Sequence, residues 1–356
     1  MRTKRKDTLY CGARQEVIES AKPTLNWESV YHFKTFVIDR YRIHKRKDIK
    51  QLSAPWTKNP ILQEFRFTNV RREHDRQTQY LIHNISNNLT MTLEDKTVNT
   101  FMFRAWNNWA TLKDLGFPYP ASMLYLPELK DKLRPRFHKL QEDDIDRLWY
   151  SNAYNQGGTK QAWRSLYKDL QTEVDIPLRP FHVGVWLGKQ KIYKKLMEAT
   201  DQQEAFEIIK SVRGFADFLA YQVFVDLTYI KEFPFSENEF VIAGPGCKKG
   251  LDYIFKDTDG MTYEECIFWL RNKINKNKGG SYSLFNHPKL EAWCEKHNKH
   301  WIEYNPDKLF SDLETYDRKM NVMSIENCMC ELSKYIRAVD GTGRPKNKYK
   351  PYKEEK

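Results

Sequence analysis

Between Trp27 and Arg46 the apolar residues Val30, Phe33, Phe36, Val37 and Tyr41 recur at spacings of three and four. That period puts them on one face, so it predicts a helix with a buried stripe. Ala54-Pro55-Trp56-Thr57 breaks the pattern, and Asn59-Pro60 supplies a capping side chain and a first-turn proline for the next helix. Ile61–Ile82 reads as a further helical layer, interrupted by the polar pair Thr68-Asn69. Helical spacing returns over Phe101–Leu112, Ile192–Ala199, Gln202–Ser211, Met261–Lys273, His287–Tyr304, Pro306–Lys319 and Met323–Ala338. Phe215–Tyr229 is strongly apolar, while Pro135–Leu148 is charged and fits neither period. Pro118–Pro127, Gln156–Lys160, Lys231–Asn238 and Lys276–Ser283 read as loops or linkers. Strand signals are few and short, so the expected class is mainly α.

A chain of 356 residues is long enough for one large domain or two. The pattern divides it into a basic N-terminal arm (1–25), a helical body (26–340) with a break expected near 150–180, and a basic C-terminal tail (341–356). The formal net charge is +12, which attracts polyanions through their phosphates. A run of Arg40, Arg42, Lys45, Arg46, Lys47 and Lys50 follows the first helical stripe; most such runs are simply solvated faces. Aromatic residues make up 14% of the chain and supply either core or base-stacking surfaces.

Several chemistries are disfavoured. No apolar run approaches the ~20 residues of a membrane span, and Met1–Tyr10 lacks the apolar stretch of a signal peptide. Six scattered cysteines fit reduced thiols, so the expected compartment is the cytoplasm. There is no Gly-x-x-x-x-Gly-Lys-Ser/Thr phosphate loop and no Gly-x-Ser-x-Gly nucleophile elbow. Cys294, His297 and His300 lack a fourth metal ligand, so neither metal nor cofactor is expected.

Val212-Arg213-Gly214-Phe215-Ala216-Asp217-Phe218-Leu219-Ala220 lies between two helical stretches. It resembles the helix-hairpin-helix turn of helical DNA glycosylases, in which backbone N–H groups meet a DNA phosphate. Ala216 stands where a second glycine is usual, and Asp217 and Phe218 stand where such enzymes can carry a lysine. Three segments together carry a more specific likeness. They are Pro55–Leu62 running into Phe65–Arg76; Gly214–Tyr229 ending in Gly244-Pro245-Gly246 and Gly250-Leu251; and Cys330–Arg337 followed by Gly341-x-Gly343-Arg344. This set, spread over residues 27 to 350, resembles the phage-type thymine hypermodification family. That family comprises the amino acid:DNA transferases, also described as α-glutamyl/putrescinyl thymine pyrophosphorylases, and the helical domain of 5-hydroxymethyluracil DNA kinases.

The resemblance implies a DNA-glycosylase-like helical fold with a helix-hairpin-helix-like element. It also implies a DNA partner, an amine donor (an amino acid or polyamine), and an associated 5-hydroxymethyluracil DNA kinase. The activity implied is transfer of the amine onto 5-phosphomethyluracil, formed from 5-hydroxymethyluracil, with loss of phosphate or pyrophosphate. The alternatives are a kinase-associated DNA-binding module and a base-excising glycosylase. Such a transferase needs an unstacked base, positive charge for the departing phosphate, and a base to deprotonate the amine.

Arg66, Asn69, Arg72, Asp75 and Arg76 are candidates for that site, because helical spacing would put Asn69, Arg72, Asp75 and Arg76 on one ridge. Arg72 is the expected phosphate ligand, Asn69 the reader of a uracil edge, and Asp75 its orienter or a base. Asp226, after an apolar run, is expected to be half-buried and to serve as general base, or else to cap a helix end or pair with a buried arginine. Gly214 belongs to the hairpin. Gly244, Pro245 and Gly246 with Lys248 and Lys249 form a second phosphate candidate, and Cys247 is a candidate for adding to the pyrimidine ring. Glu331, Lys334, Tyr335 and Arg337 share a late helix that would grip backbone phosphate. Trp56, Trp106 and Tyr221 are stacking candidates.

Overall fold

The computed structural model describes residues 13–144, 149–150, 180–276, 282–314 and 317–349. These are mainly α-helical; the one sheet among them pairs Thr24–Leu25 with Phe255–Asp257 in antiparallel fashion. Two compact units are present. Residues 76–236 belong to one, and residues 11–75 with 237–356 to the other. The break expected near 150–180 lies, apart from Pro180, outside the described residues, as does Gln156–Lys160.

In the unit of residues 76–236, the Leu93–Trp106 helix is central. It opens on a capping box in which the Thr92 hydroxyl accepts from the Asp95 N–H and the Asp95 carboxylate accepts from the Thr92 N–H. Asn107, in the left-handed region, ends it and separates it from the Trp109–Leu115 helix. The expected single helix over Phe101–Leu112 is therefore two. Glu128–Asp143 is helical despite Pro135, and Ala121–Leu124 makes one turn within the expected loop. Asp217–Thr228 and Phe181–Lys189 pack on the central helix; Phe215 meets Phe101 edge-on at 5.6 Å and Phe181 meets Trp106 at 5.1 Å.

The second unit is built on the Val322–Val339 helix, which starts where the Asn321 side chain accepts from the Ser324 N–H. Its most extensive partner is the Pro245–Ile254 helix, followed by Trp27–His44 and Tyr263–Ile274. The stripe of Val30, Phe33, Phe36, Val37 and Tyr41 is buried as the spacing predicts. Helix on helix, the closest approach is at Gly250. A Cβ there would lie 2.1 Å from the Met329 carbonyl oxygen, so only glycine fits.

Chain ends that pattern alone describes as arm and tail are tied down where they are described. Arg14 donates to both carboxylate oxygens of Glu265 at 2.9 Å, and Gln15–Ser20 is helical. The Arg66 N–H donates to the Asn347 carbonyl at 2.8 Å and the Tyr349 N–H to the Glu64 carbonyl at 3.1 Å, forming a short antiparallel contact.

Candidate active site

The stretch from Asn69 to Asp75 is not helical, which corrects the expected ridge. Pro60–Glu64 is a helix, the chain then extends, and Arg72–His74 forms a single 3₁₀ turn. The reason is local side-chain bonding. Asp75 Oδ1 accepts from both the backbone N–H and the side-chain amide of Asn69, each at 3.1 Å, and the same amide donates to the His74 carbonyl at 2.9 Å. These bonds hold a loop in place of helix. Asn69 and Asp75 are thus brought together, though by a loop closure. Arg66 and Arg76 are exposed, and Arg76 opens the Arg76–Leu81 helix of the other unit.

Arg72 is buried and its positive charge lowers the pKa values of three carboxylates, Asp75, Glu237 and Glu326. Burial acts more strongly in the opposite sense. It pushes Asp75 up to about 6, against the hydrogen bonds from Asn69 and the charges of Arg40 and Arg72. It pushes Glu326 up to about 7, against hydrogen bonds from the Cys330 thiol and the Gly244 N–H and the charge of Arg72. Glu237 is also raised, by burial first and then by the charge of Glu73. The Asn321 amide donates to Glu237 Oε1, while Oε2 is buried with no hydrogen-bond partner. Asn69 Oδ1 is a second buried acceptor with no partner. Arg71 is fully engaged as an anchor, pairing with Glu73 and donating to the carbonyls of Asp317 at 3.0 Å and Lys319 at 2.8 Å. The result is a set of three carboxylates, Asp75, Glu237 and Glu326, raised by burial toward neutrality beside Arg72, with Arg40 and Arg71 also acting on them, and an amide oxygen without a partner. Such an array can take up or release a proton close to pH 7.

Glu237 and Glu326 are the members that sequence reasoning missed. Glu326 had a readable signal, since it falls on the apolar face of the Val322–Val339 helix between Val322 and Met329. Glu237 lies in an irregular polar segment and had none.

Other expectations are corrected. Gly244-Pro245-Gly246 is not a phosphate loop but the start of the Pro245–Ile254 helix. Two amides at that start already face carboxylates, since Glu326 accepts from the Gly244 N–H and Glu264 from the Ala243 N–H at 2.9 Å. Cys247 is buried, and burial with the nearby carboxylates pushes its thiol well up, which removes the thiolate that addition to a pyrimidine needs. Lys248 and Lys249 are exposed. Lys249 and Arg337 meet at a cavity of about 300 Å³, lined also by Asp252, Tyr253 and Ser333. On the same late helix Lys334 pairs with Glu331 at 2.7 Å. Tyr335 does not face a substrate: it is buried between Phe36 and Phe67 and its hydroxyl accepts from the Asn59 amide at 2.7 Å.

Asp226 is not half-buried. It is fully buried and grips Arg104 with both oxygens; one of the bonds, Arg104 Nη2 to Oδ1, is 2.7 Å. An aspartate engaged in this way is a structural counter-ion rather than an available base. Tyr221 and Trp106 are core residues of the same unit, and Trp56 is partly exposed with its ring edge-on to Tyr349 at 5.3 Å. The Gln202–Lys210 and Asp217–Thr228 helices form a hairpin whose turn needs Gly214 at φ +93°. The Asp217 carboxylate sits in the first turn of the second helix, paired with Lys210 at 2.7 Å, where a phosphate would have to bind.

His44, His74 and Asp312 offer ligand atoms within 4.8 Å of one another. The two rings are stacked, however, with centroids 4.1 Å apart and planes 16° apart, so their nitrogen lone pairs lie in nearly parallel, separate planes. The Tyr41 hydroxyl and the Lys45 ammonium already bind Asp312, at 2.7 and 3.5 Å. This is a packed polar cluster without the geometry of a metal centre.

The described residues define a helical protein in which buried Arg72 lies among three carboxylates whose pKa values burial raises. Residues 28–343 match the family described as "5-hmdU DNA kinase, helical domain", and the chain belongs to that family of thymine hypermodification proteins. It is 26% identical over 296 residues to a 5-hmdU DNA kinase of Bacillus phage SP10, an alignment covering 76% of this chain and 45% of the relative. The chain thus spans less than half the length of the curated relative it matches. No solved structure matches it. No helix among the described residues is long and apolar enough to cross a membrane.

Proposed function

We propose that the chain acts on a 5-hydroxymethyluracil-derived base in DNA, replacing the phosphate of 5-phosphomethyluracil with an amine. The observation that carries this reading is the set of carboxylates raised by burial around Arg72, with Asp75 near 6 and Glu326 near 7. In the proposed step the amine nitrogen bonds to the 5-methylene carbon while the carbon–oxygen bond to phosphate breaks. The electron pair leaves with the phosphate, whose charge Arg72 meets, and the amine's proton passes to Asp75 or Glu326. Asn69 Oδ1, an acceptor without a partner, is suited to the N3–H of a uracil ring. Lys249 and Arg337 offer a phosphate contact at their cavity.

The match to the helical domain of a 5-hmdU DNA kinase favours a second reading, in which the chain presents DNA to a kinase. Mass analysis of nucleosides separates the two. DNA carrying 5-phosphomethyluracil is incubated with candidate amines, and DNA carrying 5-hydroxymethyluracil with ATP. An amine adduct supports transfer. Free base indicates excision. DNA that is bound but unchanged in both arms indicates the presenting module, and the absence of both adduct and binding defeats the proposal.

A further inference from the structure

The basic run after the first helix is left unused by the carboxylate cluster. Four of its members, Arg42, Lys45, Arg46 and Lys50, line one cavity of about 210 Å³ together with Lys308; Glu303 is the carboxylate in that lining. Arg42 is partly compensated by Asp39 at 3.6 Å and Lys45 by Asp312 at 3.5 Å. Among the described residues, Arg46, Lys50 and Lys308 have no carboxylate within salt-bridge distance. Arg46 is held in place by its bond to the Trp56 carbonyl at 2.7 Å.

Arg42, Arg46 and Lys50 follow one another at intervals of four residues, through the end of the Trp27–His44 helix and the π-helical turn Lys45–Ile49. Like charges at that spacing repel and weaken a helix. The ladder runs over about two turns, roughly 11 Å, which is too long for a single phosphate. None of the lining residues is a glycine, so the backbone cradle typical of nucleotide phosphates is missing. Side-chain cations spread along an element are the mode in which proteins hold a nucleic-acid backbone.

We propose that this groove is a phosphodiester-binding surface, holding the DNA backbone with Arg46, Lys50 and Lys308 on residues the reaction does not use. The inference rests on the reading that DNA is the substrate, but its test is independent of the chemistry. Unmodified duplex DNA is titrated against the full chain and against the triple variant Arg46→Ala, Lys50→Ala, Lys308→Ala at a series of salt concentrations, read by fluorescence anisotropy. Each lost phosphate contact lowers the slope of log affinity against log salt by about 0.9. The triple variant is expected to lose about 2–3 from that slope and to bind at least about tenfold more weakly near physiological salt. A variant with Arg46→Lys, Lys50→Arg and Lys308→Arg keeps the wild-type slope. Unchanged slope and affinity in a triple variant with an unchanged thermal midpoint overturn the proposal. So does loss of ATP binding with an unchanged DNA slope, which would make the groove a nucleotide pocket. Failure of the amine-transfer assay leaves the expected slope change intact, so the two readings fail separately.

Discussion

Asp226 and Glu326 are both buried carboxylates on helices, one in each unit, and they differ in how a guanidinium meets them. Asp226 has an arginine of its own: Arg104 matches it charge for charge and reaches both oxygens. Glu326 shares Arg72 with Asp75 and Glu237. Where both carboxylate oxygens are taken by a buried guanidinium, the residue braces the fold. Where burial outweighs the nearby guanidiniums, as at Glu326, the carboxylate pKa rises toward neutrality. Buried acid by itself therefore says nothing about chemistry; the local balance of charge does.

The largest effect that separates the two is on stability. Asp226→Ala leaves Arg104 buried without its counter-ion and should cost about 3–5 kcal/mol, read by urea unfolding. A loss below about 1 kcal/mol would show that the pair is no strut and would break the comparison. Gly250→Ala tests whether close helix packing holds the Glu326 helix in place. The added Cβ meets the Met329 carbonyl and should cost about 1–3 kcal/mol.

Glu326→Gln should act in the opposite sense to Asp226→Ala. Burial lifts Glu326 from 4.5 to about 7, so across that window the folded chain holds a proton that the unfolded chain has released. Wild-type stability therefore falls as pH rises from 4.5 to 7. The Gln variant loses that part of the slope and melts at the same or a higher temperature above pH 7. A lower melting temperature there would place Glu326 with Asp226 as a stabilising charge. The smallest effect is that of Tyr335→Phe. It removes the hydroxyl that accepts from Asn59, should cost about 1 kcal/mol, and should leave DNA chemistry unchanged, as befits a core residue.

Much of the helical class was legible because it rests on period. The stripe from Val30 to Tyr41, the Asn59-Pro60 start and the Val322–Val339 helix follow directly from spacing and capping. Two kinds of feature were not. Polar side chains that bond locally overrode the helical pattern at Asn69–Asp75, and apolar periodicity carries no record of such bonds. Partners distant in sequence were also invisible. Nothing near Asp226 announces Arg104, and nothing near Arg72 announces Glu237 or Glu326. Gly244-Pro245-Gly246 misled because glycine serves close packing and anion binding alike. Only the structure shows that two glutamates already face the amides at that helix start.

The central claim is that the carboxylates around Arg72 move a proton in the reaction. The most direct measurement is the single-turnover rate of amine adduct formation on DNA carrying 5-phosphomethyluracil, for the wild type and Glu326→Gln, with DNA affinity measured alongside. The expected result is a rate at least about 10²-fold lower in the variant, unchanged DNA affinity, and a wild-type rate that varies with pH between about 6 and 7. A variant that forms the adduct within about twofold of the wild-type rate, with the same pH profile, would contradict it.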